Sequence, residues 1–237
     1  MRKVFLWFGL SAAVLGLSTA AYGQGRFQMG VFFEPYFPQG EFQDISDRIG
    51  WGGSLDILYR IPHSALHVGA AFAYHVYGHE SRWEPLSWNI PDVLIKVSTT
   101  NALIRGHAVL RLQPQVGRMR PYFEGLIGFQ HLTTDTRAQD PSDWEDEDIA
   151  STNHSRSTVF SYGLGGGLML NLHRSRNPNP RRGFSVDLEA GVRYIRGGSA
   201  EYLTPGDIEI EDFQITYYVN RSRTDFLAPR IGISFSF

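Results

Sequence analysis

An acidic run between residues 140 and 148 is the densest group of side chains that could bind an ion. Its six carboxylates fall within nine residues, at Asp140, Asp143, Glu145, Asp146, Glu147 and Asp148. Calcium binds carboxylate oxygens, so the run is a candidate Ca²⁺ site. It lacks the glycine and the fixed spacing of an EF-hand loop. A solvated acidic loop is therefore the competing interpretation, and cation binding is expected as weak bridging rather than as a tight site.

Histidine and serine side chains offer few other routes to chemistry. His79, Glu80 and Ser81 place a histidine two positions before a serine, and a serine nucleophile needs a base within hydrogen-bond reach. No surrounding sequence supports a catalytic centre, so we expect ordinary polar residues in a loop. His67 and His75 share one strand face, but their separation of about 26 Å is too large to chelate one ion. We therefore predict no catalytic residue, no cofactor and no further metal site.

Composition excludes several classes of protein. The 237 residues carry a formal net charge of −2 and no cysteine. Without cysteine the chain has no disulfide, no thiolate metal site and no thiol nucleophile. The near-neutral charge gives no basic field, so nucleic acid is not expected as a partner. The length suits one domain.

The first 23 residues have the features of a secretory signal peptide. Arg2 and Lys3 precede an apolar run of 14 residues from Val4 to Leu17, and Ala21-Tyr22-Gly23 follows as a cleavage site. The run is shorter than the roughly 20 apolar residues that a membrane-spanning helix needs. We predict a signal peptide over residues 1–23 and a single domain over residues 24–237.

From residue 24 onward the apolar residues alternate with polar ones in eight segments, which is the period of β-strands. The segments are joined by short turns near 61–65, 113–120 and 173–183. They are joined by longer loops near 37–49, 78–95, 133–156 and 197–225. Short turns on one side and long loops on the other are typical of a transmembrane β-barrel. We predict an all-β fold, an eight-stranded antiparallel transmembrane barrel with up-and-down topology, periplasmic termini and extracellular long loops.

The polar face is predicted to line the barrel interior, because it is rich in small residues. The apolar face carries aromatic residues at the strand ends, as a lipid-facing surface does: Tyr59, Tyr74, Phe184 and Tyr194. The predicted interior residues are Glu34, Asp56, Arg60, His67, His75, Arg105, His107, Glu124, Asp187, Glu189 and Arg193. Buried charges need partners, so these should pair. An eight-stranded barrel is only wide enough for side chains, which favours a salt-bridged plug over a gated ion path.

The chain ends Arg230-Ile231-Gly232-Ile233-Ser234-Phe235-Ser236-Phe237. Arg230, Gly232, Phe235 and Phe237 match the terminal assembly signal of bacterial outer-membrane barrels, which the barrel-assembly machinery recognises. The segment Pro121–Gly128 resembles the Pro-Tyr…Gly…Gly strand of small outer-membrane barrels of the OmpA-like and OmpX-like group. The resemblance implies an outer-membrane location in a Gram-negative bacterium, contact with outer-membrane lipid and assembly by that machinery.

For such a barrel we expect a non-enzymatic structural or interaction role, with loops 133–156 and 197–225 contacting outer-membrane protein partners, either alone or as a subunit of a larger assembly. In the last loop, alternation at Ile208–Glu211 and the β-prone segment 214–219 suggest a hairpin above the membrane. The basic turn 173–183 could contact anionic headgroups or a protein, or be a simple soluble turn. A narrow porin-like channel and a lipid A-modifying enzyme, which would use His79 and Ser81, remain the alternatives.

Overall fold

The computed structural model describes residues 26–45, 48–87, 90–139, 148–175, 184–202, 208–211, 214–217 and 220–237. The signal peptide predicted for residues 1–23 lies outside them. The described residues form thirteen strands and one short helix. Their bounds are β1 Phe27–Phe33, β2 Phe37–Gln39, α1 Glu41–Ile45, β3 Trp51–Arg60, β4 Leu66–Ser87, β5 Ile90–Leu112, β6 Met119–Gln139, β7 Asp148–Arg174, β8 Ser185–Gly197, β9 Ser199–Tyr202, β10 Ile208–Glu211, β11 Gln214–Tyr217, β12 Asn220–Arg223 and β13 Asp225–Ser236.

Eight of these strands close into an antiparallel barrel. The order is β1-β3-β4-β5-β6-β7-β8-β13, and β13 pairs with β1 to complete the ring. Phe27 and Phe237 exchange two backbone hydrogen bonds of 2.9 Å at the closing seam. Each strand therefore pairs with its sequence neighbours, and the predicted eight-stranded up-and-down barrel is confirmed. Across the described part of the chain, no helix is long and apolar enough to cross a membrane.

The two ends of the barrel differ in their connections. One end of the barrel, which we call the turn end, carries the short turns after β3 and β5, together with the end of β7 and the start of β1. His63, with a φ of 58°, and Gly117, with a φ of 118°, make the two tight turns possible there. The opposite end, which we call the loop end, carries β2, α1 and the strands β9–β12.

The loops predicted at 78–95 and 133–156 are largely wrong, because their described residues, 78–87, 90–95, 133–139 and 148–156, lie in paired strands. β4 continues to Ser87 and pairs with β5 as far as Ser87↔Ile90. β6 continues to Gln139, and β7 begins at Asp148. An antiparallel ladder can continue as long as its residues accept extended backbone, and β-branched residues such as Val97, Thr99 and Thr100 do so. The sequence of this extension lacks the sustained apolar alternation that marks a strand.

The last long loop contains the expected hairpin. β10 pairs with β11, and β9 pairs with β12 on the stem below them. The first long loop contains β2 and α1. β2 pairs with the start of β13 and continues the line of β1 beyond Glu34 and Pro35.

The exterior of the barrel is apolar and the interior is charged. Leu164 and Phe72 face outward and are 59% and 53% exposed, whereas Arg111 and Glu189 face inward and are fully buried. The strand period of two places these groups on opposite faces. A soluble barrel has the reverse arrangement, so this polarity is that of a transmembrane β-barrel.

Candidate functional site

The centre of the barrel holds a network of three arginines and three carboxylates, of which Glu189 lies 3.0 Å from Arg111. Asp56 Oδ2 accepts from Arg230 at 2.8 Å, Arg193 at 2.9 Å and Arg111 at 3.2 Å. Glu124 accepts from Arg111 Nε at 2.9 Å and from Arg193 Nε at 2.6 Å. The strands β3, β5, β6, β8 and β13 supply these residues from around the barrel. The network therefore ties opposite walls together across the interior.

Smaller clusters extend the network along the barrel axis. Toward the loop end, Glu34 accepts hydrogen bonds from Arg105 and from Ser54 Oγ, the latter at 2.7 Å. Toward the turn end, Arg120 pairs with Asp187 at 2.5 Å.

These clusters together balance in charge. Five buried carboxylates face five buried arginines: Glu34, Asp56, Glu124, Asp187 and Glu189 against Arg105, Arg111, Arg120, Arg193 and Arg230. A buried charge without a partner costs several kcal/mol. The equal numbers of opposite charges make a neutral, ion-paired plug across the interior.

Most residues predicted for the interior lie there, and one lies at its margin. Glu34, Asp56, His67, His75, Arg105, His107, Glu124, Asp187, Glu189 and Arg193 are buried. Arg60 is half-buried at the turn end of β3 and takes no part in the central network. His107 Nε2 lies 2.8 Å from Ser161 Oγ rather than in an ion pair.

Sequence reasoning missed three of the arginines in the plug, Arg111, Arg120 and Arg230. Arg111 is an even number of residues from Arg105 and His107 on the same strand, so the alternation alone assigns it to the inner face. Arg230 lies on the polar face of the last strand and is predicted from the sequence as part of the terminal assembly motif. Its guanidinium carbon lies 3.3 Å from the centroid of the Phe32 ring, which adds a cation–π contact to its ion pairs.

The other residues of the terminal motif lie on β13 and at the seam. Phe235 faces outward and is 37% exposed, and it stacks on Phe184 with ring centroids 6.2 Å apart. Gly232 pairs with Phe32 of β1, and Phe237 bonds to Phe27. Recognition of this motif by the assembly machinery stays a prediction.

An aromatic cluster closes the interior at the loop end. Phe42 of α1 is fully buried, with its ring centroid 5.3 Å from that of Tyr202 and 6.2 Å from that of Tyr77. Tyr36 lies beneath it, 5.2 Å from Phe226. Burial raises the pKa of the Tyr36 hydroxyl well above its ordinary value, so this group stays neutral. The aromatic cluster therefore covers the charged plug with uncharged side chains.

Glycine at 191 makes room for a side chain of the plug. The ring of Tyr122 lies 4.2 Å from the guanidinium of Arg111, and its hydroxyl would be 2.3 Å from a Cβ at position 191. We expect Gly191→Val to displace Tyr122 and to lower the free energy of unfolding by about 1–3 kcal/mol. Denaturant titration of the folded barrel in lipid vesicles measures this.

The matched control is Gly125→Val on the outer face. No atom lies within 4 Å of a Cβ at Gly125, so valine should be neutral or slightly stabilising in the strand. Equal losses at both positions would show that Tyr122 does not depend on the space at Gly191.

A sheet at the loop end extends the barrel on one side. It comprises residues 78–87 of β4, 90–101 of β5, 134–139 of β6 and 148–155 of β7, and we call it the loop-end sheet. β3 begins at Trp51, which pairs with Val76, so residues 78–87 of β4 lie beyond the loop-end limit of β3. Among the described strands, only β5 pairs with this part of β4. Within the described residues, this edge of β4 is therefore open, and residues 148–155 of β7 at the other edge likewise pair only with β6.

Most of the candidate cation-binding residues lie outside the described residues, whereas the candidate catalytic residues lie in β4. Residues 140–147 of the acidic run are not among the described residues, and Asp148 begins β7. Within the described ranges, no group of three acidic or histidine residues could hold a metal ion. His79, Glu80 and Ser81 lie in β4, so their placement in a loop is wrong. Ser81 is exposed on the loop-end sheet.

No family model and no curated protein sequence matches the chain. Among solved structures, Neisserial surface protein A is similar, with a TM-score of 0.43 and 14% identity over 89% of this chain and 95% of that one. Ail, the attachment invasion locus protein of Yersinia pestis, has a TM-score of 0.39 and 15% identity over 90% and 97% of the two chains. The N-terminal β-barrel domain of Pseudomonas aeruginosa OprF has a TM-score of 0.35 and 14% identity over 91% and 99%.

Proposed function

We propose that this chain is a non-enzymatic outer-membrane barrel that anchors the loop-end sheet for contact with a protein partner. The observation that carries the proposal is the open edge of β4 beyond the apolar belt. Ten residues from 78 to 87 extend about 33 Å along the strand. The unpaired backbone groups of an exposed edge can accept a further strand from another protein.

The rest of the molecule fits the role of an anchor. The apolar exterior suits lipid, and the balanced plug cross-links the barrel walls. The termini and turns would then face the periplasm, and the loop-end sheet would face the outside of the cell. Pro85 removes one donor near the tip, so residues 78–84 are the stretch that a partner strand would pair with.

Removing the open edge tests this role. Replacing residues 80–99 with Asn-Gly joins the paired residues His79 and Thr100 by a two-residue hairpin turn. We expect the variant to insert as a heat-modifiable barrel, because the belt and plug are unchanged. In mild-detergent extracts of native membranes, the wild-type complex should exceed the monomer mass and the variant should run as a monomer.

A photo-crosslinking residue gives the matched control for position. Ser81 is exposed on the loop-end sheet, and Phe72 is exposed on the lipid-facing belt of the same strand. A discrete protein adduct is expected from position 81 and none from position 72. A wild-type barrel that is monomeric in native extracts and forms no adduct at position 81 would refute the interaction role.

The channel alternative has a direct electrical test. The five ion-paired carboxylates and the aromatic cluster around Phe42 leave the interior filled, which opposes a continuous aqueous path. We expect the purified barrel to give no discrete conductance steps in a planar bilayer. Regular steps at constant amplitude would instead favour the narrow channel.

A further inference from the structure

An open apolar groove crosses the outer face of four neighbouring strands, β1, β3, β4 and β5. We call it the belt groove. Its volume is about 440 Å³, which falls within the range of about 300–1,000 Å³ found for small-molecule sites. The outward side chains that line it are all apolar or aromatic: Val31, Leu55, Phe72, Tyr74 and Ile104.

Glycine at position 53 leaves the floor of the belt groove bare. The register places Gly53 in one row between Phe33 of β1 and Tyr74 of β4. A Cβ built on Gly53 would meet only the backbone oxygen of Phe32 within 4 Å, at 3.0 Å. Within the described residues, no neighbouring side chain therefore covers this stretch of backbone. At Gly106, by contrast, the ring of Phe72 lies 3.8 Å from such a Cβ.

Aromatic side chains border the belt groove on the side of the loop end. Trp51 lies two residues before Gly53 on β3, and its ring stacks on that of Phe33 with centroids 6.0 Å apart. Tryptophan and tyrosine of a membrane barrel lie at the level of the lipid headgroups. Val31 and Leu55 lie one row nearer the turn end. The belt groove therefore starts at the headgroup level and continues into the apolar belt, as an acyl chain does.

The shape of the belt groove suits one hydrocarbon chain. Four strands and two rows of residues give it an area of about 14 Å by 7 Å. A volume of about 440 Å³ over that area corresponds to a depth of about 4–5 Å, close to the contact distance between packed carbon atoms. Packed sheets lie about 10 Å apart. The wall of a second barrel resting on Phe33 and Tyr74 would therefore leave the backbone at Gly53 without contacts.

We propose that the belt groove binds an acyl chain of a bilayer lipid from the leaflet on the side of the loop end. The groove is continuous with the apolar exterior of the transmembrane barrel, so lipid is the medium that reaches it. Within a bilayer, apolar surfaces associate through close packing rather than through exclusion of water. A chain in the groove contacts its floor and both walls, whereas a chain elsewhere on the belt contacts one side only.

The test uses the purified barrel in phosphatidylcholine vesicles that contain a phosphatidylcholine with a diazirine in one acyl chain. After irradiation, mass spectrometry of peptides locates the lipid adducts. In the wild type, adducts on residues of the belt groove should exceed those around Ile127 and Leu164 on the order of threefold. These two reference residues lie elsewhere on the belt and are 56% and 59% exposed. Equal labelling of the two regions would overturn the proposal.

Filling the floor of the belt groove should remove the excess of adducts. Gly53→Val places a side chain over the bare backbone and should reduce labelling of the groove to the level of the reference residues. The matched control is Gly166→Val on the outer face of β7, where a Cβ would lie 3.2 Å from the backbone oxygen of Tyr122 and 3.8 Å from the Phe123 ring. This variant has similar backbone crowding and should keep the excess. An excess that survives Gly53→Val, or that both variants lose, would contradict the proposal.

A second variant fills the belt groove without changing Gly53. Val31 is 58% exposed on the wall of the groove, and Val31→Phe adds a ring from that side. It should also lower the labelling of the groove. A groove that is labelled less than the reference residues, and more as the barrel is diluted in lipid, would overturn the lipid assignment and indicate that a second copy covers it. The loop-end sheet takes no part in this readout, so the result is independent of the proposed interaction role.

Discussion

Replacing Asp56 with asparagine should lower the free energy of unfolding by about 3–5 kcal/mol, the range found when one partner of a buried ion pair is removed. The Asp56 carboxylate contacts Arg111, Arg193 and Arg230 within 3.2 Å. Asparagine keeps the volume but leaves positive charge in excess at the centre of the barrel. The midpoint of denaturant unfolding in lipid vesicles measures the loss, and loss of heat-modifiable migration gives a second readout.

The matched control is the ion pair at the loop end. Asp225 lies 3.6 Å from Arg196, whose side chain is 45% exposed. Solvent screens this pair, so Asp225→Asn should change the stability by about 1 kcal/mol or less. If Asp56→Asn has an equally small effect, water must reach the centre of the plug and the interior is not sealed.

A second substitution separates charge imbalance from lost contacts. Arg230→Gln removes one of the three guanidiniums that face Asp56. In the Asp56→Asn background it should cost less than in the wild type, because it relieves the excess positive charge. Additive losses in this cycle would show that the two residues stabilise the barrel independently.

The plug shows how far the sequence predicts the interior. Parity along a strand is local, so Asp56, Glu124 and Arg193 could be assigned to the inner face from their neighbours alone. Which charges meet depends on the register between strands that are distant in sequence. Asp56 and Arg230 are 174 positions apart, and only closure of the ring brings them together.

The loop-end sheet marks the limit of the same reasoning. Apolar alternation reports a face buried in lipid or core, and the sequence of residues 78–85 lacks it. They form a strand because the ladder between β4 and β5 continues from the barrel in the register that the barrel fixes. A strand that contributes no apolar face gives the sequence no period to detect, so the structural feature most important for the proposed function was predicted as a loop.

Arginine at the middle of the lipid-facing belt should prevent stable insertion. Leu164 on β7 is 59% exposed and lies between the aromatic residues Phe160 and Tyr162 and the turn end of the strand. Leu164→Arg should lower the free energy of unfolding in a bilayer by about 2–4 kcal/mol, the cost of arginine at the midplane. Folding titrations into vesicles measure this, and yield in the membrane fraction of cells should fall with it.

Depth rather than exposure should decide the effect of such a substitution. Leu172 lies on the same strand near the turn end and is 56% exposed, almost the same as Leu164. Leu172→Arg should cost about 1 kcal/mol or less, because arginine there reaches the headgroups. Equal costs at the two positions would mean that the apolar face contacts a uniform medium, such as a protein surface, rather than a bilayer with an interface. A large difference would place the belt in lipid, with Leu164 near the midplane and Leu172 near the headgroups.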